Sequence, residues 1–331
     1  MIEVKNLVKR YGEHLAVDHL SFQIEPGKIY GLLGPNGAGK STTMNIITGC
    51  LAATGGTVSI HGSDIFEDPV NAKKHIGYLP EIPPLYPEMT AFEYLDFIGE
   101  AKGLSKEERR NQMVDIMNRT QISDVQNTVI RHLSKGYRQR VGLAQAMIGY
   151  PDIIILDEPT VGLDPKQIIE IRDLIKSLKK DHTVILSSHI LSEVSAVCDY
   201  IMIIAHGKLV ASDTPDNLTK LMAGTNTVTM TAKGSLEQVK KQLSSFGEIE
   251  KLSAENKSGG LVAVSFETAM EKDIREAVFY AFAGAEIPIL AMASMELSLE
   301  DIFLKLTDEE STPQKKVKKA KKESVKNESS L

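Results

Sequence analysis

The stretch Gly34-Pro35-Asn36-Gly37-Ala38-Gly39-Lys40-Ser41 decides the fold of this 331-residue chain. It fits the phosphate-loop pattern G-x-x-x-x-G-K-[ST] at every fixed position, follows an apolar strand-like run and precedes a helical run. Glycines let backbone N–H groups turn inward around a phosphate, and the helix amino terminus adds the positive end of its dipole. The segment through Thr42 therefore predicts a nucleotide-phosphate site, against the weaker reading of a chance glycine-rich turn.

Two side chains of this loop have expected roles with ATP and Mg²⁺. Lys40 would reach the β- and γ-phosphates, and the hydroxyl of Ser41 would be a ligand of Mg²⁺. The loop therefore predicts an ATP-binding protein that uses Mg²⁺.

A second signal follows the apolar run Ile153–Leu156, which predicts a strand at the centre of the sheet. Asp157 and Glu158 emerge at its carboxyl end, where ligands bind in open α/β sheets. Asp157 is expected to hold Mg²⁺, directly or through water, and Glu158 to orient and deprotonate an attacking water. A strand that ends in two acids is by itself more often a solvated strand end, but its pairing with the phosphate loop favours the catalytic interpretation.

Composition excludes several classes of protein. With 42% hydrophobic and 25% charged residues, the chain is typical of globular proteins, and it lacks an apolar run of about 18 residues that would span a membrane. The amino terminus lacks the basic-then-apolar pattern of a secretion signal. Cys50 and Cys198 lie far apart without metal-like spacing, which agrees with a reducing compartment. We therefore expect a cytoplasmic protein.

The charge distribution is asymmetric. Of the net charge of −6, residues 313–331 carry +5 and the rest of the chain −11. An acidic body is a poor general binder of nucleic acid, so we expect no nucleic-acid partner.

The order of strand-like and helical runs predicts the domains. Alternation from residue 1 to about 220 is typical of an α/β domain, here a P-loop NTPase core with an antiparallel β layer and a helical insertion at about 90–150. Residues 221–308 follow the order β, α, β, β, α, β, which predicts a small α+β domain of the split-βαβ type. Residues 309–331 form a lysine-rich tail that is expected to be disordered.

The run Leu133-Ser134-Lys135-Gly136-Tyr137-Arg138-Gln139-Arg140 resembles the signature sequence of the ABC family and lies shortly before the Asp157-Glu158 strand. The resemblance implies that Ser134 and Gly136 contact the γ-phosphate bound by a second subunit. Tyr137–Ile148 supplies the helix that this role needs, with Ser134 as its N-cap. Capping alone is the structural alternative for Ser134.

Three further positions fit the same family. Tyr11 matches the aromatic residue that stacks on adenine, Gly162-Leu163-Asp164 matches the loop through which the two nucleotide sites communicate, and His189 matches the histidine that contacts the γ-phosphate. An isolated tyrosine is otherwise more often a packing residue. The resemblance covers roughly residues 1 to 220.

One position departs from the general family pattern. Gly77-Tyr78-Leu79-Pro80-Glu81 carries glutamate where most members have glutamine, so Glu81 would offer a carboxylate to Mg²⁺ or to the water. This sequence and the form of the signature resemble the exporter branch that includes gliding-motility and antibiotic-export ATPases, as does Ser298-Leu299-Glu300-Asp301-Ile302-Phe303.

The resemblance implies an ATP-hydrolysing subunit that dimerises around ATP, as a homodimer, and drives separate membrane permease subunits from the cytoplasmic face of the membrane. The alternative is a soluble ABC ATPase with a non-transport role in regulation or linked to DNA or ribosomes. The permease is expected to contact a surface rich in aromatic and flexible apolar side chains, in which Phe92 and Phe97 are expected to be helix core: Leu85, Tyr86, Met89, Phe92, Tyr94 and Phe97. The lysine tail is expected to solubilise the chain, with contact to anionic lipid as the second interpretation and RNA binding as the third.

Overall fold

The computed structural model describes residues 1–222, 225–269 and 273–295. The predicted lysine-rich tail at 309–331 and the segment Ser298–Phe303 lie outside these residues. The described chain divides into two compact units, one of residues 1–215 and one that begins at Asp216. Among the described helices, none is both long and apolar enough to cross a membrane.

An antiparallel layer opens the first unit. Its strands are β1 (Ile2–Tyr11), β2 (His14–Ile24), β4 (Gly55–Ile60) and β5 (Ser63–Asp64), in the order β2-β1-β4-β5. Ile2, Val4 and Leu7 of β1 are fully buried while their polar neighbours are accessible, so one face of the layer packs on the core.

A six-stranded sheet forms the centre of this unit. Its strands are β3 (Ile29–Leu33), β6 (Ile76–Leu79), β7 (Ile153–Leu156), β8 (Thr183–Ser188), β9 (Tyr200–Ala205) and β10 (Lys208–Asp213). The order is β10-β9-β3-β8-β7-β6, and the pairs are parallel except β10 with β9. The prediction that Ile153–Leu156 lies at the sheet centre is wrong: β7 is second from the edge. All four of its residues are nevertheless buried, because both faces of the sheet are covered, and an apolar run does not distinguish these positions.

Helices complete the first unit. They are α1 (Lys40–Ile47), α2 (Pro69–Lys73), α3 (Ala91–Ala101), α4 (Lys106–Arg119), α5 (Lys135–Met147), α6 (Pro165–Leu178) and α7 (Leu191–Ser195), and α8 (Pro215–Met222) spans the boundary between the units. The charged stretch read as a helical insertion contains α3 and α4, which begin at capping boxes formed by Thr90 with Glu93 and by Ser105 with Glu108. The predicted α/β P-loop architecture is confirmed.

The second unit has the predicted β, α, β, β, α, β order. Its elements are β11 (Thr225–Lys233), α9 (Leu236–Leu243), β12 (Ile249–Lys257), β13 (Leu261–Ala269), α10 (Arg275–Gly284) and β14 (Ile289–Met295). The sheet order is β12-β13-β11-β14 with antiparallel pairs, as expected of two interleaved βαβ units. Phe266, Val278 and Phe282 are fully buried in this unit's own core.

Candidate active site

The phosphate loop joins β3 to α1 and needs glycine at two tightly packed positions. Gly39 has φ +105°, and a Cβ there would lie 2.5 Å from the carbonyl oxygen of Ala16. A Cβ on Gly34 would lie 2.3 Å from the carbonyl oxygen of Ile204. Since both obstacles are backbone atoms of neighbouring strands, the loop is held against the sheet with its N–H groups at the amino end of α1.

Lys40 is folded back into this loop. Its Nζ donates to the carbonyl oxygens of Gly34 at 2.8 Å and Pro35 at 3.3 Å, and it lies 3.5 Å from Oε1 of Glu158. The lysine side chain is only 5% exposed. The buried ammonium group is therefore compensated by two carbonyl groups and one carboxylate.

Asp157 follows β7 and faces the loop through Ser41. Its Oδ1 accepts a hydrogen bond from Ser41 Oγ at 3.2 Å and another from Ser187 Oγ. Asp157 is 3% exposed. A hydroxyl oxygen beside a buried carboxylate matches the oxygen ligands that Mg²⁺ prefers, so these residues fit that ion.

Glu158 has a left-handed backbone with φ +47°, a strained conformation for a residue with a long side chain. Its N–H donates to Ser187 Oγ at 2.9 Å. Its carboxylate contacts two side chains: Oε1 lies near the ammonium group of Lys40, and Oε2 lies 2.9 Å from Nδ1 of His189. The strained backbone and both ends of the side chain are thus fixed by the surrounding residues.

A cavity of about 380 Å³ opens over this cluster. Ten predicted site residues line it: Tyr11, Asn36, Gly37, Gly39, Lys40, Ser41, Thr42, Glu81, Glu158 and His189. The side chain of Tyr11 is 49% exposed, so part of its ring is available to a ligand. The three residues that were predicted to act across a dimer do not line this cavity: Ser134, Gly136 and Asp164.

Sequence reasoning missed several residues of the site. His14, Ala16 and Val161 also line the cavity, and Ser187 bridges the two acids. The run Ser187-Ser188 before His189 was a usable signal, because hydroxyl groups at a strand end face the same edge as the acids that follow the neighbouring strand. No sequence signal distinguished His14 from an ordinary surface residue.

The signature residues lie at the amino end of α5. Ser134 caps the helix by accepting a hydrogen bond from the N–H of Tyr137 at 3.3 Å, so the predicted N-cap is observed. Gly136 and Asp164 line another cavity, of about 630 Å³. Asp164 caps α6 by accepting from the N–H of Gln167 at 3.0 Å.

The signature also contacts the loop at Gly162. A Cβ on Gly162 would lie 2.0 Å from Nζ of Lys135, and one on Gly136 would lie 2.7 Å from the side chain of Gln167. The helix tip and the Gly162–Asp164 loop therefore form one continuous surface within a chain.

The aromatic surface near Glu81 differs from the prediction. Phe92 and Phe97 are 40% and 41% exposed, so the expectation that they are helix core is wrong. Tyr94 is the buried aromatic residue of α3, and its hydroxyl donates to Gln145 of α5 at 2.5 Å. Burial, and then the charge of Tyr86, raise the pKa of Tyr94 to about 12. Tyr86 itself is half exposed and packs edge-on against Phe97.

The chain is similar to ATP-binding proteins of ABC transporters. The family model described as ABC transporter matches residues 17–161. The chain is 30% identical over 308 residues to the linearmycin resistance ATP-binding protein LnrL of Bacillus subtilis, covering 93% of this chain and 98% of that protein. It is 38% identical over 222 residues to the bacitracin transport ATP-binding protein BcrA of Bacillus licheniformis, covering 66% of this chain and 72% of that protein.

Solved structures give the same result. A structure titled as the ATP-binding subunit of an ABC transporter matches with a TM-score of 0.61 and 32% identity, over 67% of this chain and 92% of that one. The dimeric ATP-binding cassette MJ0796, bound to ADP and Pi in a post-hydrolysis state, matches with a TM-score of 0.59 and 28% identity, over 65% of this chain and 98% of that one.

Proposed function

Since the chain belongs to the family of ABC transporter ATP-binding proteins and is the ATP-hydrolysing subunit of a transporter, we propose that two copies enclose ATP between them. In each site, one copy supplies the cavity over Lys40 and Glu158, and the other supplies the helix tip at Ser134 and Gly136. The observation that carries this proposal is the separation of these two sets of residues within one chain. Because neither set surrounds a γ-phosphate alone, ATP would hold the copies together, and loss of the γ-phosphate would release them.

The proposed roles follow from the contacts. Tyr11 stacks on adenine. Backbone N–H groups of the loop from Gly34 to Thr42 hold the phosphates, and Lys40 exchanges its carbonyl partners for phosphate oxygens. Ser41 and Asp157 would hold Mg²⁺, with Glu81 as an additional oxygen ligand from the cavity wall. When bound, Mg²⁺ would neutralise charge that develops on the phosphates.

Glu158 is the proposed base for the attacking water, and His189 both orients its carboxylate and reaches the γ-phosphate. The 2.9 Å contact between His189 and Glu158 supports this pairing. A base held on two sides has little freedom to move, which favours a productive geometry. Asp164, on the loop beside the signature, would relay the state of one site to the other.

A complementation experiment tests the shared site. We expect Lys40→Ala and Ser134→Glu chains each to lose ATPase activity, the first by losing phosphate contacts and the second by placing a charge against the γ-phosphate. Mixing them should restore activity, because a mixed dimer contains one site with intact Lys40 and intact Ser134. Mixing Lys40→Ala with Glu158→Gln is the matched control and should restore none in this way, since both changes affect the same half. Absence of recovery in the first mixture, together with no ATP-dependent increase in mass for Glu158→Gln, would contradict the shared site.

We further propose that the partner is a membrane permease that exports its cargo and that the chain works peripherally on the cytoplasmic face. The relatives named for linearmycin resistance and bacitracin transport support a role in transport, and export is the direction that the resemblance of Glu81 and the signature to the exporter branch implies. The docking surface would be the cavity of about 660 Å³ that includes Glu81, Ile82, Leu85 and Arg138, next to exposed Tyr86. Ile82 is 82% exposed, so it adds apolar surface at this cavity that a partner could cover.

Substituting Tyr86 by glutamate tests this surface. We expect the variant to keep ATPase activity in detergent but to lose co-purification with permease subunits from solubilised membranes, since a charge would be buried at the contact. Val70→Glu, at another exposed apolar residue, is the control and should co-purify normally. Unchanged complex formation by the Tyr86 variant would remove the proposed surface.

We also propose that the ATPase domain comprises residues 1–220 and the accessory domain residues 221–308. We also propose that the tail at 309–331 contacts anionic lipid through its seven lysines.

A further inference from the structure

A cluster of two histidines and one aspartate lies at the end of the ATPase unit opposite the nucleotide cavity. His61 is in the turn between β4 and β5, His75 immediately precedes β6, and Asp152 immediately precedes β7. One nitrogen or oxygen atom of each side chain lies within 4.8 Å of those of the other two. Glu81 and Asp157 follow the carboxyl ends of β6 and β7, so the cluster is at the amino end of the same strands, and the five-residue step from Asp152 to Asp157 spans about 16 Å.

The contacts within the cluster converge on one atom. Oδ2 of Asp152 lies 2.5 Å from Nδ1 of His75 and 3.6 Å from Nε2 of His61. The two imidazole rings lie 4.6 Å apart between centroids. Both rings therefore present nitrogen atoms to the same carboxylate oxygen.

The backbone fixes all three residues. The N–H of His61 donates to the carbonyl oxygen of Met1 at 3.0 Å, the N–H of Ile153 to that of His75 at 3.0 Å, and the N–H of Thr183 to that of Asp152 at 2.8 Å. Because these bonds extend the two sheets, the Cα positions of the ligands are set by the fold. A site held in this way needs only side-chain rotation to accept an ion.

Two imidazoles and a carboxylate are a ligand set for zinc and similar ions. With metal–ligand distances of about 2.0 to 2.2 Å, a tetrahedral site places its donor atoms about 3.3 Å apart. The observed donor separations lie on either side of that value, at 2.5 Å between Asp152 and His75 and 3.6 Å between Asp152 and His61. The side chains of His61, His75 and Asp152 are 37%, 29% and 57% exposed, which leaves room for water as a fourth ligand.

We propose that His61, His75 and Asp152 bind a divalent transition-metal ion of the zinc type. The ion joins β4 of the antiparallel layer to β6 and β7 of the central sheet, and so stabilises the ATPase unit from the side opposite ATP. The exposed pair His19–Asp18, at 2.7 Å, has a similar histidine–carboxylate contact without the second histidine. It is the matched control for the cluster.

The test is calorimetric titration of the metal-stripped full-length chain with Zn²⁺, without nucleotide and in excess Mg²⁺ to occupy oxygen-rich sites. We expect one tight Zn²⁺ per chain and a Zn²⁺-dependent rise in melting temperature. His61→Asn and His75→Asn should each weaken binding at least about tenfold and remove the rise, as is usual for loss of a metal ligand. His19→Asn should change neither.

Melting in EDTA establishes that each variant is folded, and asparagine tolerates the left-handed backbone that His61 and His19 share. Co²⁺ is a second probe, since its visible absorption reports nitrogen and oxygen ligation; the bands of the parent chain should disappear in both cluster variants. The proposal is overturned by Zn²⁺ binding that the cluster variants leave unchanged, by an equal loss in His19→Asn, or by the absence of a tight site in the parent chain.

Discussion

Replacing Ser187 by alanine tests how the two catalytic acids are held. Ser187 is fully buried, accepts a hydrogen bond from the N–H of Glu158 at 2.9 Å and donates one to Asp157. Alanine would leave the N–H of Glu158 buried without this partner, at a cost of about 1 to 3 kcal/mol, and would remove a bond to a carboxylate that contributes about 1.5 to 3 kcal/mol. Since the two effects share one atom and are not fully additive, we expect a loss of about 2 to 4 kcal/mol.

That loss has a thermal and a catalytic consequence. For a unit of this size, it corresponds to a melting temperature lower by roughly 5 to 15 °C. Glu158 would relax from its left-handed backbone, so we expect kcat to fall at least about tenfold while KM for ATP changes little, because the phosphate loop is untouched. Differential scanning calorimetry and steady-state ATPase assays measure both.

Ser195→Ala is the control for Ser187. Its hydroxyl donates only to the carbonyl oxygen of Leu191 within α7 at 3.0 Å, a bond of little net value, so its effect should stay within about 0.5 kcal/mol. The reasoning is refuted if Ser187→Ala melts and hydrolyses ATP like the parent chain, or if the two serine variants behave alike.

Two further predictions concern the nucleotide cavity. Gly39→Ala should destabilise the ATPase unit by about 3 kcal/mol or more and abolish ATP binding, because its Cβ meets the Ala16 carbonyl oxygen. The control is Gly12→Ala, at φ +56° with no atom within 4 Å of the added Cβ, which should cost only about 1 kcal/mol. Equal losses of stability in thermal melting of the two variants would contradict the steric argument. Tyr11→Ala should weaken ATP binding by about 1 to 3 kcal/mol, the contribution typical of base–aromatic stacking, whereas Tyr11→Phe should preserve it; a titration in which both variants bind like the parent chain would exclude stacking.

The sequence predicted those parts of the site that depend on local patterns. Short-range rules identified the phosphate loop, the acids after β7 and the cap at Ser134, because each rests on residues within one turn or strand end. The order of elements in the second unit was likewise readable from the alternation of strand-like and helical runs.

Other features depend on packing between distant segments. The left-handed backbone of Glu158 and the bridge from Ser187 arise because β7 pairs with β8. Tyr94 is buried and its aromatic neighbours Phe92 and Phe97 are exposed, because Tyr94 lies on the face of α3 that contacts α5, where its hydroxyl donates to Gln145. In a stretch with aromatic residues on several faces, helical periodicity does not select among them.

The contacts of Glu158 suggest how the proposed mechanism would limit hydrolysis without a complete site. Lys40 and His189 both contact the carboxylate of Glu158. Lys40 also donates hydrogen bonds to the carbonyl oxygens of Gly34 and Pro35. Incoming phosphate oxygens compete for Lys40, so binding of ATP would redirect its ammonium group from Glu158 toward the γ-phosphate, while His189 continues to orient the carboxylate. The carboxylate of Glu158 would then be free to activate a water molecule only when the γ-phosphate, which that water attacks, is present. Since Ser187 holds the backbone of Glu158 throughout, this exchange requires side-chain movement alone, which places the control of the reaction in four residues already in contact.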